Sequence, residues 1–240
     1  DTCSRELLKR IADATHKHPA PVTTHLAQSR MELDRVREVY HMSSTELLKE
    51  CGLLNDALMA AHGVFLTEED MKLLADGQVQ MIHIPEGNAK AGAIADVYGM
   101  QQKGLNVAIG TDNGAGNMIE NMRIALIAGR INRHCVTDPL PEQILEMATV
   151  NGAKALHMEQ KIGSLEVGKL ADIVIMDYDN LHMTPCTDVI GNLVHLGLGN
   201  DVETVIVNGE IVVEHGKVLH IDEEEVMRDA RRIAQLKWAK

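Results

Sequence analysis

The sequence predicts an α/β protein built around a parallel β-sheet. Through the first half of the chain, short apolar runs bounded by polar turns alternate with longer segments of helical periodicity. This alternation is the pattern of a parallel sheet covered by helices. Each of the four apolar runs also ends in a histidine or an aspartate. From Ile162 the pattern changes to two β-rich pieces with glycine turns, which predict a small β unit outside the main sheet.

The strands and helices of the first half follow from this periodicity. The predicted strands are 21–28, 57–65, 79–86 and 105–113. Helical spacing connects them in the segments Met31 to Cys51, Thr67 to Ala75 and Gly92 to Gly104. Thr67, followed by Glu-Glu-Asp, is typical of an N-cap with an acidic first turn. The first half therefore has the order strand, helix, strand, helix.

The residues at the ends of these strands indicate a functional site. They are His25, His62, His83 and Asp112. In a closed parallel barrel, the carboxyl ends of the strands form the active-site face. One histidine in a strand is more often a packing residue than a ligand. Four ligand-type side chains at equivalent positions favour a shared site at one mouth.

The second half predicts helices, a β unit and a charged tail. Asn117 to Arg133 has the spacing of a helix, and a second helix is expected from Pro139 and Pro141 to about Leu156. The sequence divides into three expected regions: a barrel portion at 1–160, β-sandwich return strands at 161–220 and a C-terminal amphipathic helix at 221–240.

Composition narrows the class of protein. Hydrophobic residues make up 45% of the 240 residues and charged residues 24%, which is ordinary for a globular protein with one sizeable core. Aromatic residues are only 2%, so the core must be aliphatic and methionine-rich. The net charge of −12 opposes binding to nucleic acid or to an anionic membrane. A small neutral or cationic molecule is compatible with this charge.

The sequence favours a cytoplasmic protein. No run approaches the roughly 20 apolar residues that span a bilayer, and the first ten residues lack the apolar run of a signal peptide. The cysteines form no CxxC pair and are expected to be reduced structural thiols. They are Cys3, Cys51, Cys135 and Cys186.

Longer motifs carry a family resemblance. In chain order they are THLAQS, AAHGVFLTEED, HIPEGNAKAGAIADV, GLNVAIGTDNGAGN, MATVNGAKAL, IGSLEVGKLADIVIMD and VETVIVNGEIVVEHGKV. Together they resemble the amidohydrolase superfamily, in the branch that holds methylthioadenosine and adenosylhomocysteine deaminases, guanine deaminases and triazine hydrolases. The combination of GTDN after a strand with the GSLEVGKLADIVIMD return strand is specific, whereas each short motif alone is not.

The resemblance implies a fold and a metal site. The fold would be the C-terminal portion of a distorted (β/α)8 barrel, from its fifth to its eighth strand, together with strands of a small β-sandwich. One divalent metal, zinc or alternatively iron, would have His25 and Asp112 as ligands. His62 would bind or polarise the substrate, and it corresponds to a ligand in relatives with two metals. Asp112 would also take a proton from the metal-activated water, whose pKa falls toward about 7.

The resemblance also implies a pocket and a reaction. His83, Glu86, Asn88 and Asn113 fall where the family lines its substrate pocket. The reaction would be hydrolytic deamination, or a related C–Cl hydrolysis as in chlorohydrolases, at a ring carbon of a purine, pterin or triazine. A second group must then protonate the ring nitrogen or the leaving group, and His62 is a candidate.

This sequence departs from the family pattern in two places. The family's HxH pair on the first barrel strand has no counterpart here; His16 and His18 have that spacing but are expected in a surface loop after a helix ending at Thr15. The chain is therefore expected to begin within the fourth barrel helix, with half a barrel and two metal ligands missing. Gln28 occupies the position where most hydrolytic deaminases of this branch have a glutamate, and an amide cannot titrate.

These departures leave alternatives open. A half barrel would expose strand edges and apolar surface, so we expect a homo-oligomer or association with a missing N-terminal half. The alternative is a non-catalytic binding subunit or an inactive relative, because the HxH ligands are absent and Gln28 replaces the usual glutamate. A purely structural fragment is a third reading, and it predicts no metal affinity.

Overall fold

A computed structural model describes residues 2–114 and 116–238. The expected barrel portion at 1–160 and the expected helix at 221–240 therefore each include residues outside the described ranges. Its first sheet has the strand order β1-β2-β3-β4, with every neighbouring pair parallel. These strands are β1 (Val22–Leu26), β2 (Leu58–His62), β3 (Gln80–His83) and β4 (Val107–Ile109). All of them fall inside the predicted segments. The parallel order follows because helices connect consecutive strands.

Helices precede, connect and follow these strands. They are α1 (Arg5–Lys17), α2 (Arg30–Tyr40), α3 (Ser44–Glu50), α4 (Glu68–Asp76), α5 (Pro85–Lys90), α6 (Val97–Gln102), α7 (Met118–Arg133), α8 (Pro141–Ala148) and α9 (Val150–Ala155). Two segments predicted as single helices are divided. The backbone turns left-handed at His41, with φ of 56°, which ends α2, and Ser43 then caps α3. Thr149 divides α8 from α9 with φ of −130° and ψ of −87°.

The core lies between the sheet and its helices. The strand register places Ala60 beside Met81, and Met81 beside Val107, on one face of the sheet. This face packs in one buried cluster with aliphatic and methionine side chains of the helices, including Leu74, Met100, Leu126 and Ile144. Full burial of each such side chain stabilises the fold by about 1.5–3 kcal/mol. The expected aliphatic, methionine-rich core is therefore present.

The other face of the sheet is more open at β1. Thr23 and His25 alternate with the more buried residues of this strand and are both exposed. Because side chains alternate along a strand, these two residues point to the same side, away from the helices that bury Leu26. His25 lies on this open face, next to the end of β2.

The second sheet is antiparallel, with the order β5-β6-β7-β8. Its strands are β5 (Ile173–Met176), β6 (Val202–Val207), β7 (Glu210–Glu214) and β8 (Lys217–Val218). Between β5 and β6, α10 (Val189–Leu196) packs against α7 and α8 and ties this region to the first sheet. The tail forms α11 (Glu223–Trp238), which buries none of its side chains. In the described ranges, no helix is long and apolar enough to cross a membrane.

Candidate functional site

His25 and His62 meet at the carboxyl ends of neighbouring strands. The register pairs Leu26 with His62, so His25 of β1 lies one residue before this pair. The two imidazole rings stand edge to face, with centroids 4.8 Å apart and an interplanar angle of 86°. His62 has a φ of 77° and Gly63 a φ of 63°, so the chain leaves β2 through the left-handed region. This local backbone conformation positions the His62 ring at the edge of the sheet.

The turn after His25 is held by Glu32, a residue that the sequence analysis did not select. The backbone N–H of Ala27 donates to Glu32 Oε1 at 2.8 Å, and that of Gln28 donates to Oε2 at 2.9 Å. The Ser44 hydroxyl also donates to Oε1, at 2.9 Å. Ser29, the N-cap of α2, followed three residues later by Glu32 is a helix-start signature that the sequence carries. The sequence pattern could not show that this carboxylate is buried under the turn.

His62 and Asp112 approach each other at the centre of the site. His62 is almost fully buried, and its Nδ1 lies 2.9 Å from Asn88 Oδ1. Its Nε2 is buried, has no hydrogen-bond partner among the described residues, and lies 3.9 Å from Asp112 Oδ2. Asp112 follows β4 with a φ of 56°, and the backbone N–H of Asn113 donates to its Oδ1 at 2.7 Å. The Nε2 atom of His62 and one carboxylate oxygen of Asp112 therefore face the same space.

His83 lies at the end of β3, buried near His62. Its pKa is lowered to about 4, first because burial deprives the charged imidazolium of hydration and second because of repulsion from His62. Its Nδ1 is also buried without a partner in the described structure. His83 is therefore a neutral imidazole at physiological pH.

Glu86 is a buried carboxylate that ties α5 to α7. It forms an ion pair with Lys90, and the side chain of Asn121 donates to its Oε2 at 3.3 Å. The backbone N–H of Glu86 donates in turn to Asn121 Oδ1, at 3.3 Å. Lys90 holds the pKa of Glu86 below its usual range, so this carboxylate is ionised. Asn121 is fully buried and was not singled out from the sequence, which carries no local signal for it.

Gly87 leaves room for the carboxylate of Asp112. A Cβ at this position would lie 3.2 Å from Asp112 Oδ2 and 2.9 Å from Ile84 Cγ2. Any larger residue would displace one of these neighbours. Gln28 and Asn113, by contrast, are exposed beside this centre. The structure thus places the predicted site residues in two groups, a buried floor and an exposed rim.

The donor set suits a metal ion but is incomplete. Imidazole nitrogen and carboxylate oxygen are ligands that zinc takes, and the buried, unpartnered Nε2 of His62 faces such an oxygen. Within residues 2–114 and 116–238, no group of three His, Cys, Asp or Glu side chains is placed to hold a metal ion. The two histidines with HxH spacing belong to the end of α1. His16 lies in the last turn of this helix and His18 is its C-cap, and both are exposed. The prediction that this helix ends before His16 was wrong by two residues.

Comparison with known proteins identifies the family. Residues 2–212 match the family model described as the amidohydrolase family. The chain belongs to the amidohydrolase family. Its match to a zinc-bound adenosine deaminase from Xanthomonas campestris has a TM-score of 0.91 at 29% identity, covering 96% of this chain and 54% of that one. This likeness confirms the predicted fold, the C-terminal portion of an amidohydrolase barrel with strands of a small β-sandwich.

Two relatives of this amidohydrolase chain are named as deaminases. A 5'-deoxyadenosine deaminase of Methanosarcina barkeri is 39% identical over 240 residues, which cover 98% of this chain and 55% of that protein. A 5-methylthioadenosine/S-adenosylhomocysteine deaminase of Moorella thermoacetica is 40% identical over 232 residues, covering 94% and 54% respectively. The chain therefore spans about half the length of the curated relatives it matches.

Proposed function

We propose that this chain forms part of the active site of a divalent-metal-dependent aminohydrolase that removes the amino group from the adenine ring of an adenosine-type nucleoside. Membership of the amidohydrolase family supports a hydrolase. The names of two relatives, both deaminases of adenosine derivatives, favour an amino leaving group over chloride and a purine over a pterin or triazine. The acidic surface, with a net charge of −12, suits a substrate without phosphate.

The observation that carries this proposal is that three side chains converge. His25 and His62 lie at the ends of β1 and β2, and Asp112 lies in the loop after β4. His62 Nε2 lies 3.9 Å from Asp112 Oδ2, and the ring of His25 stands against that of His62. His25 and Asp112 would hold the ion, with His62 beside it, and zinc is the first choice because imidazole and carboxylate suit it. When bound, such an ion makes water acidic enough to attack at neutral pH. Water, or groups of an associated polypeptide, would fill the other ligand positions of zinc.

The chain's own groups would then handle the proton and the substrate. Asp112 Oδ1 accepts from the Asn113 N–H, which leaves Oδ2 free to take a proton from the attacking water. The water oxygen bonds to the ring carbon while its two protons pass, with Asp112 as the carrier, one to the ring nitrogen and one to the amino group. The carbon–nitrogen bond then breaks and ammonia leaves. Gln28 and Asn113, both exposed at the rim, would hydrogen-bond the substrate. His83, Glu86 and Asn88 would form the buried floor of the pocket.

A non-catalytic binding role is the second candidate, and Gln28 favours it. Its amide can orient a nucleoside but cannot deliver a proton to the ring. Glu86 is a poor substitute, because Lys90 keeps it ionised. In an assembly that completes the barrel, Gln28→Glu is expected to raise ammonia release from 5'-deoxyadenosine if this position limits an enzyme. Unchanged binding with no ammonia release from either form would instead support the binding role.

Metal content of the purified chain tests the site directly. Elemental analysis is expected to find metal in the parent chain and little in His25→Ala and Asp112→Ala. His16→Ala is the matched control, because it removes an exposed histidine of the HxH-like pair and should leave the metal content unchanged. Metal retained in both site variants would contradict the assignment of ligands. In an assembly that completes the barrel, ammonia release that persists after the metal is chelated would contradict the proposed reaction.

A further inference from the structure

His62 can exist as either of two neutral tautomers, and they give it different chemistry. With the proton on Nε2, the ring could donate a hydrogen bond toward Asp112 and the substrate. With the proton on Nδ1, Nε2 carries a lone pair and can only accept a hydrogen bond or bind a metal. The partner of Nδ1 therefore decides what His62 offers to the site.

The partner of Nδ1 is the side chain of Asn88. Its Oδ1 lies 2.9 Å from His62 Nδ1, and the two residues are 4% and 2% exposed, so water does not compete for this contact. With Oδ1 as the amide atom that faces the ring, the hydrogen bond requires the proton on Nδ1, because a carbonyl oxygen only accepts. The other amide atom, Nδ2, is buried without a partner in the described structure. Nε2 is left buried, without a partner in the described structure, and facing Asp112.

The backbone around Asn88 makes this side chain a rigid support. Its N–H donates to the carbonyl of Ile84 at 3.0 Å. Its own carbonyl accepts from the N–H of Ala91 at 3.1 Å and of Ala93 at 2.9 Å. Pro85 begins α5, so the start of this short helix has a fixed φ. These bonds fix the backbone from which the Asn88 side chain reaches the imidazole of His62.

We propose that Asn88 is a positioning residue that fixes His62 as the Nδ1–H tautomer, so that Nε2 presents its lone pair to the space in front of Asp112. The catalytic meaning of this assignment rests on the proposed function. Histidines that bind metals generally donate their other N–H to a carbonyl or carboxylate, which is the arrangement seen here. In this tautomer neutral His62 cannot supply the proton that the ring nitrogen needs. The proton donor of the reaction is then a group other than His62.

The tautomer can be read by 15N NMR on the metal-free chain, independently of any activity. At mildly alkaline pH, we expect a pyridine-type shift for His62 Nε2 and a pyrrole-type shift for Nδ1, with His62→Gln assigning the signals. Asn88→Asp keeps an acceptor at the same place and should preserve this pattern. Asn88→Leu removes the acceptor and should let protonated Nε2 appear. Asn106→Leu, which alters an asparagine that hydrogen-bonds to Gln80 before β4, is the control and should leave His62 unchanged.

A parent chain with the proton on Nε2 overturns the proposal, as does an Asn88→Leu spectrum identical to that of the parent. Zinc titration gives a second readout. Loss of the Nδ1 acceptor is expected to weaken zinc binding by about 10- to 100-fold in Asn88→Leu and much less in Asn88→Asp. A chain that shows the expected tautomer but takes up no zinc would contradict the proposed function and leave the role of Asn88 standing.

Discussion

At the scale of single residues, unusual backbone conformations mark the site. Ala27, His62 and Asp112 have φ values of 50°, 77° and 56°, and each lies where a strand gives way to a loop. L-residues enter this region at a cost, so such positions persist only where the surrounding structure enforces them. Glu32 enforces the first of these turns through two backbone hydrogen bonds. Hydrogen bonds such as those of Glu32 therefore hold the turns from which the site residues project.

Gly63 offers a test of this support. Its φ is 63°, and a Cβ there would lie 2.7 Å from Met100 Cε and 2.8 Å from Met81 Cε. Both atoms are flexible side-chain ends, but they are confined in the core, where Met81 and Met100 are each 1% exposed. Gly63→Ala should therefore lower the free energy of unfolding by about 2–3 kcal/mol, from backbone strain and modest overpacking together. Urea denaturation followed by circular dichroism measures it.

Gly92→Ala is the matched control for that substitution. Gly92 has a φ of 72°, but a Cβ there meets no atom within 4 Å. It should lose only the backbone component, about 1–2 kcal/mol. Equal losses in the two variants would show that packing around Gly63 does not hold the end of β2.

At the scale of elements, the starts of α3 and α4 are linked through one carboxylate. Asp70 completes the capping box of α4, accepting from the Thr67 N–H at 3.1 Å while its own N–H donates to Thr67 Oγ1 at 3.1 Å. Ser43, the N-cap of α3, donates its hydroxyl to Asp70 Oδ1 at 2.7 Å. Thr67 and the acidic first turn were predicted from the sequence. The link to Ser43 depends on how the two helices pack.

Replacement of Asp70 tests this link. Asp70→Ala removes acceptors from two helix starts at once and should lower the free energy of unfolding by about 2 kcal/mol or more. Glu69→Ala is the control, because it removes an exposed charge from the same first turn and should cost under about 1 kcal/mol. The two variants can be compared by their urea midpoints. Equal destabilisation by the two variants would show that Asp70 contributes only as a charge in the first turn of α4, and would contradict the link to α3.

The helix boundaries show where the sequence was insufficient. Apolar periodicity continued from Met31 to Cys51, and a single helical segment was expected. The break at His41 depends on a left-handed residue that is not glycine, so it gave no sequence signal. The strands were located more reliably, because runs of apolar residues bounded by turns are short and distinct.

At the scale of the whole molecule, β1 leaves one edge and one face of the parallel sheet uncovered in the described structure. In the described structure β1 pairs on one side only, with β2, and Thr23 and His25 of this strand are exposed. Unpaired strand edges invite pairing with another chain. The chain also spans about half the length of the relatives it matches. We therefore keep the proposal that it associates with another polypeptide, a second copy or a complementary half.

Sedimentation velocity tests the first of these partners. The purified chain, of 26.3 kDa, should sediment as a species larger than a monomer, with a size that rises with concentration. Thr23→Lys places a charge on the open strand and should shift the chain toward the monomer. Thr137→Lys, on an exposed loop between α7 and α8, should not change the distribution. A parent chain that stays monomeric at all concentrations would exclude self-association.

The sequence by itself determined the parallel α/β order, the aliphatic core, the family and the residue types at the strand ends. These properties are local, because periodicity along the chain sets which element forms and which face is apolar. The roles assigned to His25, His62 and Asp112 remain predictions. Only the tertiary structure decided which side chains support them. Asn88 reaches His62 across 26 residues of chain, and Asn121 reaches Glu86 across 35, so these contacts exist only once the helices have packed on the sheet.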